Sequence, residues 1–141
     1  MKRTFTFALA LTMVLTCCSG AALAATYSPQ ASLTLSYYEV VLLAGSKSGE
    51  IRINYDVGAS KLADSLGVSS IEIYKSNGSY VTTITGTTSN GLVRNSSSSH
   101  MGVYSYIGTS GVSYYAKVTV FATVGSVSDS RTVTTSTVKA P

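Results

Sequence analysis

His100 is the only histidine in 141 residues, and it directly follows Ser96-Ser97-Ser98-Ser99. A serine beside an imidazole is the raw material of nucleophilic hydrolysis, in which the ring takes the hydroxyl proton and a carboxylate orients the ring. The run lacks the G-x-S-x-G turn that lifts such a serine clear of the chain, so its composition predicts a polar loop with His100 inside it. Six carboxylates, Glu39, Glu50, Asp56, Asp64, Glu72 and Asp129, could supply the acid and base of glycoside hydrolysis. Glu50, Asp56 and Glu72 fall on the polar phase of alternating stretches, where solvated charge is the default.

Metal and cofactor chemistry finds no motif either. The two cysteines, Cys17 and Cys18, lie in the N-terminal apolar run, and one histidine cannot build a nitrogen and sulfur ligand set by itself. No loop alternates acidic and amide side chains as calcium requires. The glycines carry neither GxGxxG nor phosphate-loop spacing. Asn77-Gly78-Ser79 and Asn95-Ser96-Ser97 match the glycosylation sequon by spacing alone. The residues therefore imply no catalytic group, no metal and no cofactor, and the chain reads as a non-enzyme.

What remains is aromatic. The chain has ten tyrosines and no tryptophan, and Phe121 is the only phenylalanine beyond the apolar N-terminus. In Gly111–Ala122, residues Tyr114, Ala116, Val118, Val120 and Ala122 share one face, and Tyr115, Lys117, Thr119 and Phe121 share the other. The first set predicts core. The second makes Tyr115, Lys117 and Phe121 a candidate binding face, with its two rings about 20 Å apart at strand spacing, a span that suits an extended chain or a protein surface. The competing reading is that tyrosine simply packs cross-strand on sheet surfaces.

The elements that would position this face begin with an export signal. Lys2 and Arg3 precede an apolar run from Phe5 to Thr16, and Ala22-Leu23-Ala24 offers small residues to a signal peptidase. We expect a secretory signal peptide over residues 1–24, cleaved after Ala24 with Ala25 as the alternative, and a secreted, extracellular product with no membrane span. A lipid anchor at Cys18 is the minor alternative, since Leu15 stands three residues before it. Cleavage removes both cysteines, so no disulfide can staple the domain, and this suits a bacterial source. It also removes Lys2 and Arg3, leaving eight basic residues against six acidic ones. These are scattered singly, which argues against a nucleic-acid partner.

Residues 25–36 read as a leader or edge strand, and residues 37–141 as one domain. Tyr37–Ala44 and Glu50–Val57 are strands joined by a Gly/Ser turn. Ser60–Gly67, with Leu62 and Leu66 four apart, predicts one short helical turn. Ile71–Lys75 and Tyr80–Ile84 flank Ser76-Asn77-Gly78-Ser79, a tight-hairpin sequence whose register would pair Ile71 with Ile84. Gly86–Ser99 reads as a loop or ragged edge strand. Met101–Ile107, Gly111–Ala122 and Ser130–Val138 complete seven to eight strands. Short strands at this spacing predict an all-β fold, a single antiparallel β-sandwich. Its core should include Ile51, Ile53, Ile73, Val118 and Val120.

Val112-Ser113-Tyr114-Tyr115-Ala116 resembles the immunoglobulin-like stretch in which a tyrosine precedes the core cysteine by two residues. That resemblance implies that Tyr114 forms a tyrosine corner, its hydroxyl bonding back to the chain. The run Tyr-Ala-Lys-Val-Thr-Val-Phe-Ala followed by a Gly/Ser turn resembles the end of a fibronectin type III-like domain. With the Leu-Gly-Val-Ser-Ser-Ile-Glu-Ile-Tyr segment, the chain is similar to small uncharacterised secreted proteins of gram-positive gut bacteria, which implies export and carries no activity. The resulting expectation is an extracellular binding or adhesion module whose partner is a protein, a glycan or the cell wall. The alternative is a structural or assembly subunit that pairs through an edge strand.

Overall fold

Alternation of apolar and polar residues, punctuated by glycine turns, draws most of the chain into strands. The computed structural model describes residues 34–141. In it β1 (Leu35–Ala44), β2 (Glu50–Lys75), β3 (Tyr80–Thr85), β4 (Val93–Ile107), β5 (Ser113–Val124), β6 (Val127–Thr134) and β7 (Val138–Lys139) join in one antiparallel sheet. The expected signal peptide, the Cys18 anchor site and most of the leader lie outside the described residues. The end of that leader opens β1, which starts at Leu35 and not at Tyr37.

β2 is the spine. Its first half, from Glu50 to Gly58, lies between β1 and β4. Its second half, from Ser70 to Lys75, lies between β3 and β5. Extended, 26 residues would span roughly 85 Å at about 3.3 Å each, far more than a domain this size can accommodate flat. The sheet curls instead, and both halves of β2 bury the same face. Ile51, Ile53, Tyr55 and Val57 from one half meet a common core with Ile71 and Ile73 from the other. All five expected core residues, Ile51, Ile53, Ile73, Val118 and Val120, have 0% exposure.

The short helical turn expected over Ser60–Gly67 is absent, because this segment is the middle of β2. Ala63, Ser65, Leu66 and Gly67 pair with Ser97, Asn95, Arg94 and Val93 of β4, and Leu66 also pairs with Ala122 of β5. The four-residue spacing of Leu62 and Leu66 imitates a helix for a different reason. The register shifts between Gly58 and Ala63 and again between Val68 and Ser70. These bulges change which alternate residues point inward, so Leu66 is buried while Leu62 stays 68% exposed. The ladder bonds that β4 and β5 offer from Ala63 onward override a weak local helical pattern.

The Asn77-Gly78 hairpin forms as its sequence requires. Gly78 has φ +86, the Asn77 carboxamide accepts the Ser79 N–H at 3.0 Å, and Ile71 pairs with Ile84. The serine-rich segment takes both expected forms, a loop and an edge strand paired with β2 alone. Only residues 86–92 form a loop, and Val93–Ser99 belongs to β4. Serine has little strand preference of its own, but β2 supplies ladder partners for Val93, Arg94, Asn95, Ser97 and Ser99, and Ser96 between them takes φ 50. The last strand also divides, into β6, which starts at Val127, and the two-residue β7.

Glu50 corrects another expectation. Its side chain is buried, and its carboxylate turns back into the β1–β2 connection, accepting the Ser46 and Lys47 N–H groups at 2.9 and 3.1 Å. The backbone bond from Lys47, then the Ser105 hydroxyl, hold its pKa below the ordinary value of 4.5. A carboxylate with a depressed folded pKa stabilises the fold above its unfolded pKa, and the contribution disappears as pH falls through the folded value. Below pH 4.5 the protein should therefore lose thermal stability progressively, and Glu50→Gln should flatten that part of the profile. A melting series between pH 3 and pH 7 checks this, and an unchanged acid limb in the variant would rule Glu50 out as its source.

Candidate functional site

The possible catalytic residues disperse. His100 lies in β4 opposite Val57, not in a loop. Its Nε2 is 2.7 Å from the Gly91 carbonyl oxygen and 3.2 Å from the Tyr55 hydroxyl, and its ring meets Tyr55 edge-on at 5.3 Å. A carbonyl only accepts, so Nε2 carries the hydrogen. The Tyr55 hydroxyl donates to the same carbonyl at 2.7 Å, and burial raises its pKa. Both side chains thus pin the 86–92 loop to the sheet. Ser97, in the serine run before His100, donates its hydroxyl to the Ser99 carbonyl.

The carboxylates are mostly occupied in fastening loops and neighbours. Asp129 accepts the Thr34 N–H and hydroxyl, each at 2.8 Å, and so ties the start of β1 to β6. Asp64 accepts the Gly125 N–H at 2.6 Å. Glu72 accepts the Tyr74 hydroxyl at 2.7 Å, the main cause of a raised Tyr74 pKa. Glu39 and Asp56 stand directly opposite each other on the outer face of β1 and β2. Among the described residues no group of three or more histidine, cysteine, aspartate or glutamate side chains gathers as a metal ligand set would.

Tyr114 is buried, and its hydroxyl accepts the Thr109 N–H at 2.9 Å, bonding back to the chain five residues upstream. Gly108 makes room for it, since a Cβ there would lie 2.7 Å from that hydroxyl.

The face of β5 that carries Tyr115, Lys117 and Phe121 is half-buried along its length. Tyr115 stacks on Tyr74 of β2, with centroids 5.2 Å apart and planes 10° apart, and Tyr80 of β3 meets Tyr74 edge-on at 5.8 Å. Lys117 Nζ sits 5.1 Å from the Tyr74 ring centre. Phe121 lies apart from this ladder, opposite Gly67 of β2 and Ser130 of β6. Tyr115 and Lys117 therefore belong to one cross-strand cluster and Phe121 does not. One face of Tyr115 is thus turned onto Tyr74 and away from any ligand.

The exposed apolar surface lies elsewhere, on the outside of β1, β2 and β4. Tyr37, Val41 and Leu43 project from β1, and Met101, Val103 and Ile107 from β4, with Met101 71% and Ile107 58% exposed. In register, Val41, Asn54 and Val103 form one row across the three strands, and Glu39, Asp56 and Met101 form the next. A groove of about 630 Å³ runs over these rows. Asn54 lies at its centre, with its Oδ1 buried and without a hydrogen-bond partner. The sequence carried a signal for this face. Tyr37–Ala44 contains one charge and no alternation, and Met101–Ile107 has large apolar groups in both phases, so each strand must show an apolar side to the outside. Compared with protein-family models, curated proteins and solved structures, the chain finds no significant match.

Proposed function

We propose that the chain is a secreted, extracellular binding module that contacts a protein through the outer face of β1, β2 and β4. The observation that carries this reading is the exposed aliphatic surface of Val41, Leu43, Met101, Val103 and Ile107 around the Asn54 carboxamide. Contiguous apolar surface with a polar centre and rim is the composition of a protein contact, whereas sugars are held by open aromatic faces. The stacking of Tyr115 on Tyr74, which turns those two ring faces toward each other, supports this preference for protein over glycan. In this reading the curled sheet is a β-sandwich of the immunoglobulin-like or fibronectin type III-like kind. The Tyr114–Thr109 bond and the burial of both halves of β2 in one core support it.

A second reading, assembly through an edge strand, draws on β1, which is hydrogen-bonded to β2 alone and carries only Glu39 as a charge. The two separate by experiment. Val41→Glu with Val103→Glu places charge on the face and leaves the β1 edge intact, so the melting temperature should hold. A partner captured by the unaltered protein and identified by mass spectrometry should be recovered at least tenfold less. Undiminished capture would remove the face from the binding account, and retention on polysaccharide resin by both forms would replace protein with glycan.

A further inference from the structure

The charges on the same face are arranged with opposite signs at its two ends. Along the outward phase of β2, Arg52, Asn54 and Asp56 follow one another, with Asn54 central between Val41 and Val103. Arg52 is exposed. Asp56 sits beside Glu39, a like-charge pair directly across two strands that costs the isolated sheet stability. An arrangement that places a cation against two carboxylates would relieve it. The chain itself carries that cation about 13 Å away on the same strand, too far to reach them within one copy.

Resting on the binding role of this face, we infer that its partner is a second copy of this chain, related by a two-fold axis that passes over Asn54 at right angles to β2. A half-turn about that axis reverses the strand direction and lays one sheet face on the other. Arg52 of each copy then stands over Asp56 of its partner, with Glu39 alongside. The Val41 and Val103 rows pack on their own copies. The two Asn54 carboxamides meet on the axis. An axis along the strand instead would bring Asp56 against Asp56, so the charges select one of the two possible pairings. A three-stranded face is small beside the roughly 800 Å² per partner of a stable interface, which implies micromolar or weaker pairing.

Sedimentation of the purified chain between about 1 µM and 1 mM tests this. The expected result is a monomer–dimer equilibrium across that range. Arg52→Asp alone and Asp56→Arg alone should each weaken it at least tenfold, because like charges then face each other twice. Mixing the two single variants should restore a dimer, since each supplies the charge the other lacks. Asp56→Arg removes the like-charge neighbour of Glu39 but also the acceptor of the Tyr37 hydroxyl at 3.3 Å, so an unchanged melting temperature in each single variant is the control for the fold. A monomer at every concentration, a dimer indifferent to either reversal, or no heterodimer on mixing overturns the inference. If the chain is monomeric and Val41→Glu with Val103→Glu still abolishes capture of another protein, the self-pairing fails and the binding role stands. If those substitutions change neither property, both fail.

Discussion

Gly67→Ala should destabilise the protein by roughly 3 kcal/mol or more, since it combines two penalties that usually occur apart. Gly67 has φ +135, a conformation that residues with a Cβ rarely adopt. A Cβ there would also collide with the Leu92 carbonyl oxygen and crowd the His100 ring at 3.1 Å. The same carbonyl accepts the Val68 N–H at 2.8 Å, at the point where the 86–92 loop delivers the chain into β4. The methyl group must therefore push the start of β4 away from β2 or break that bond. Gly125→Ala is the control. At φ +59, with open space around its Cβ position, it should cost only about 1–2 kcal/mol of backbone strain. Urea denaturation of both variants measures the difference, and equal losses would show that the close approach at Leu92 carries no weight.

Ile53→Ala and Ile73→Ala should each cost about 2–5 kcal/mol, the usual loss when a fully buried branched side chain is truncated in a packed core. The two residues lie 20 positions apart on one strand, in halves with different neighbours. Because both halves face one core, either truncation should lower a single cooperative transition. Calorimetry is the check. Two resolved transitions, each sensitive to only one of the substitutions, would mean that the halves of β2 are separate folding units.

Strands and inward faces were legible in the sequence wherever strict alternation met a clear turn. The β5 alternation from Tyr114 to Ala122 and the Ile51–Val57 pattern marked the buried residues one by one, with Glu50 just before them the exception, and Asn77-Gly78 marked a register. The Ser60–Gly67 segment was not legible, because its bulges are set by partners in β4 and β5 that follow it by up to 60 residues. No local pattern records such a shift. Val93–Ser99 could be read only as a loop or a ragged edge strand for a related reason, since serines take strand geometry only when β2 supplies the ladder. The outer face of β1 and β4 was passed over because attention to rings favoured Tyr115 and Phe121. The aliphatic outer rows of β1 and β4 became one surface only when β2 brought them side by side.

The continuity of β2 also sets an order of events. Its two ends can fold early, since β1 joins the first half and β3 the second through connections of a few residues. Its opposite edges must wait for β4 and β5, which the chain supplies only after residue 92. Until then two hairpins stand on one unclosed strand, each with an unpaired edge and its apolar face in water. Such long-range closure places the protein among slow folders, on the order of milliseconds to seconds, with most of its aggregation risk confined to the interval before β5 docks.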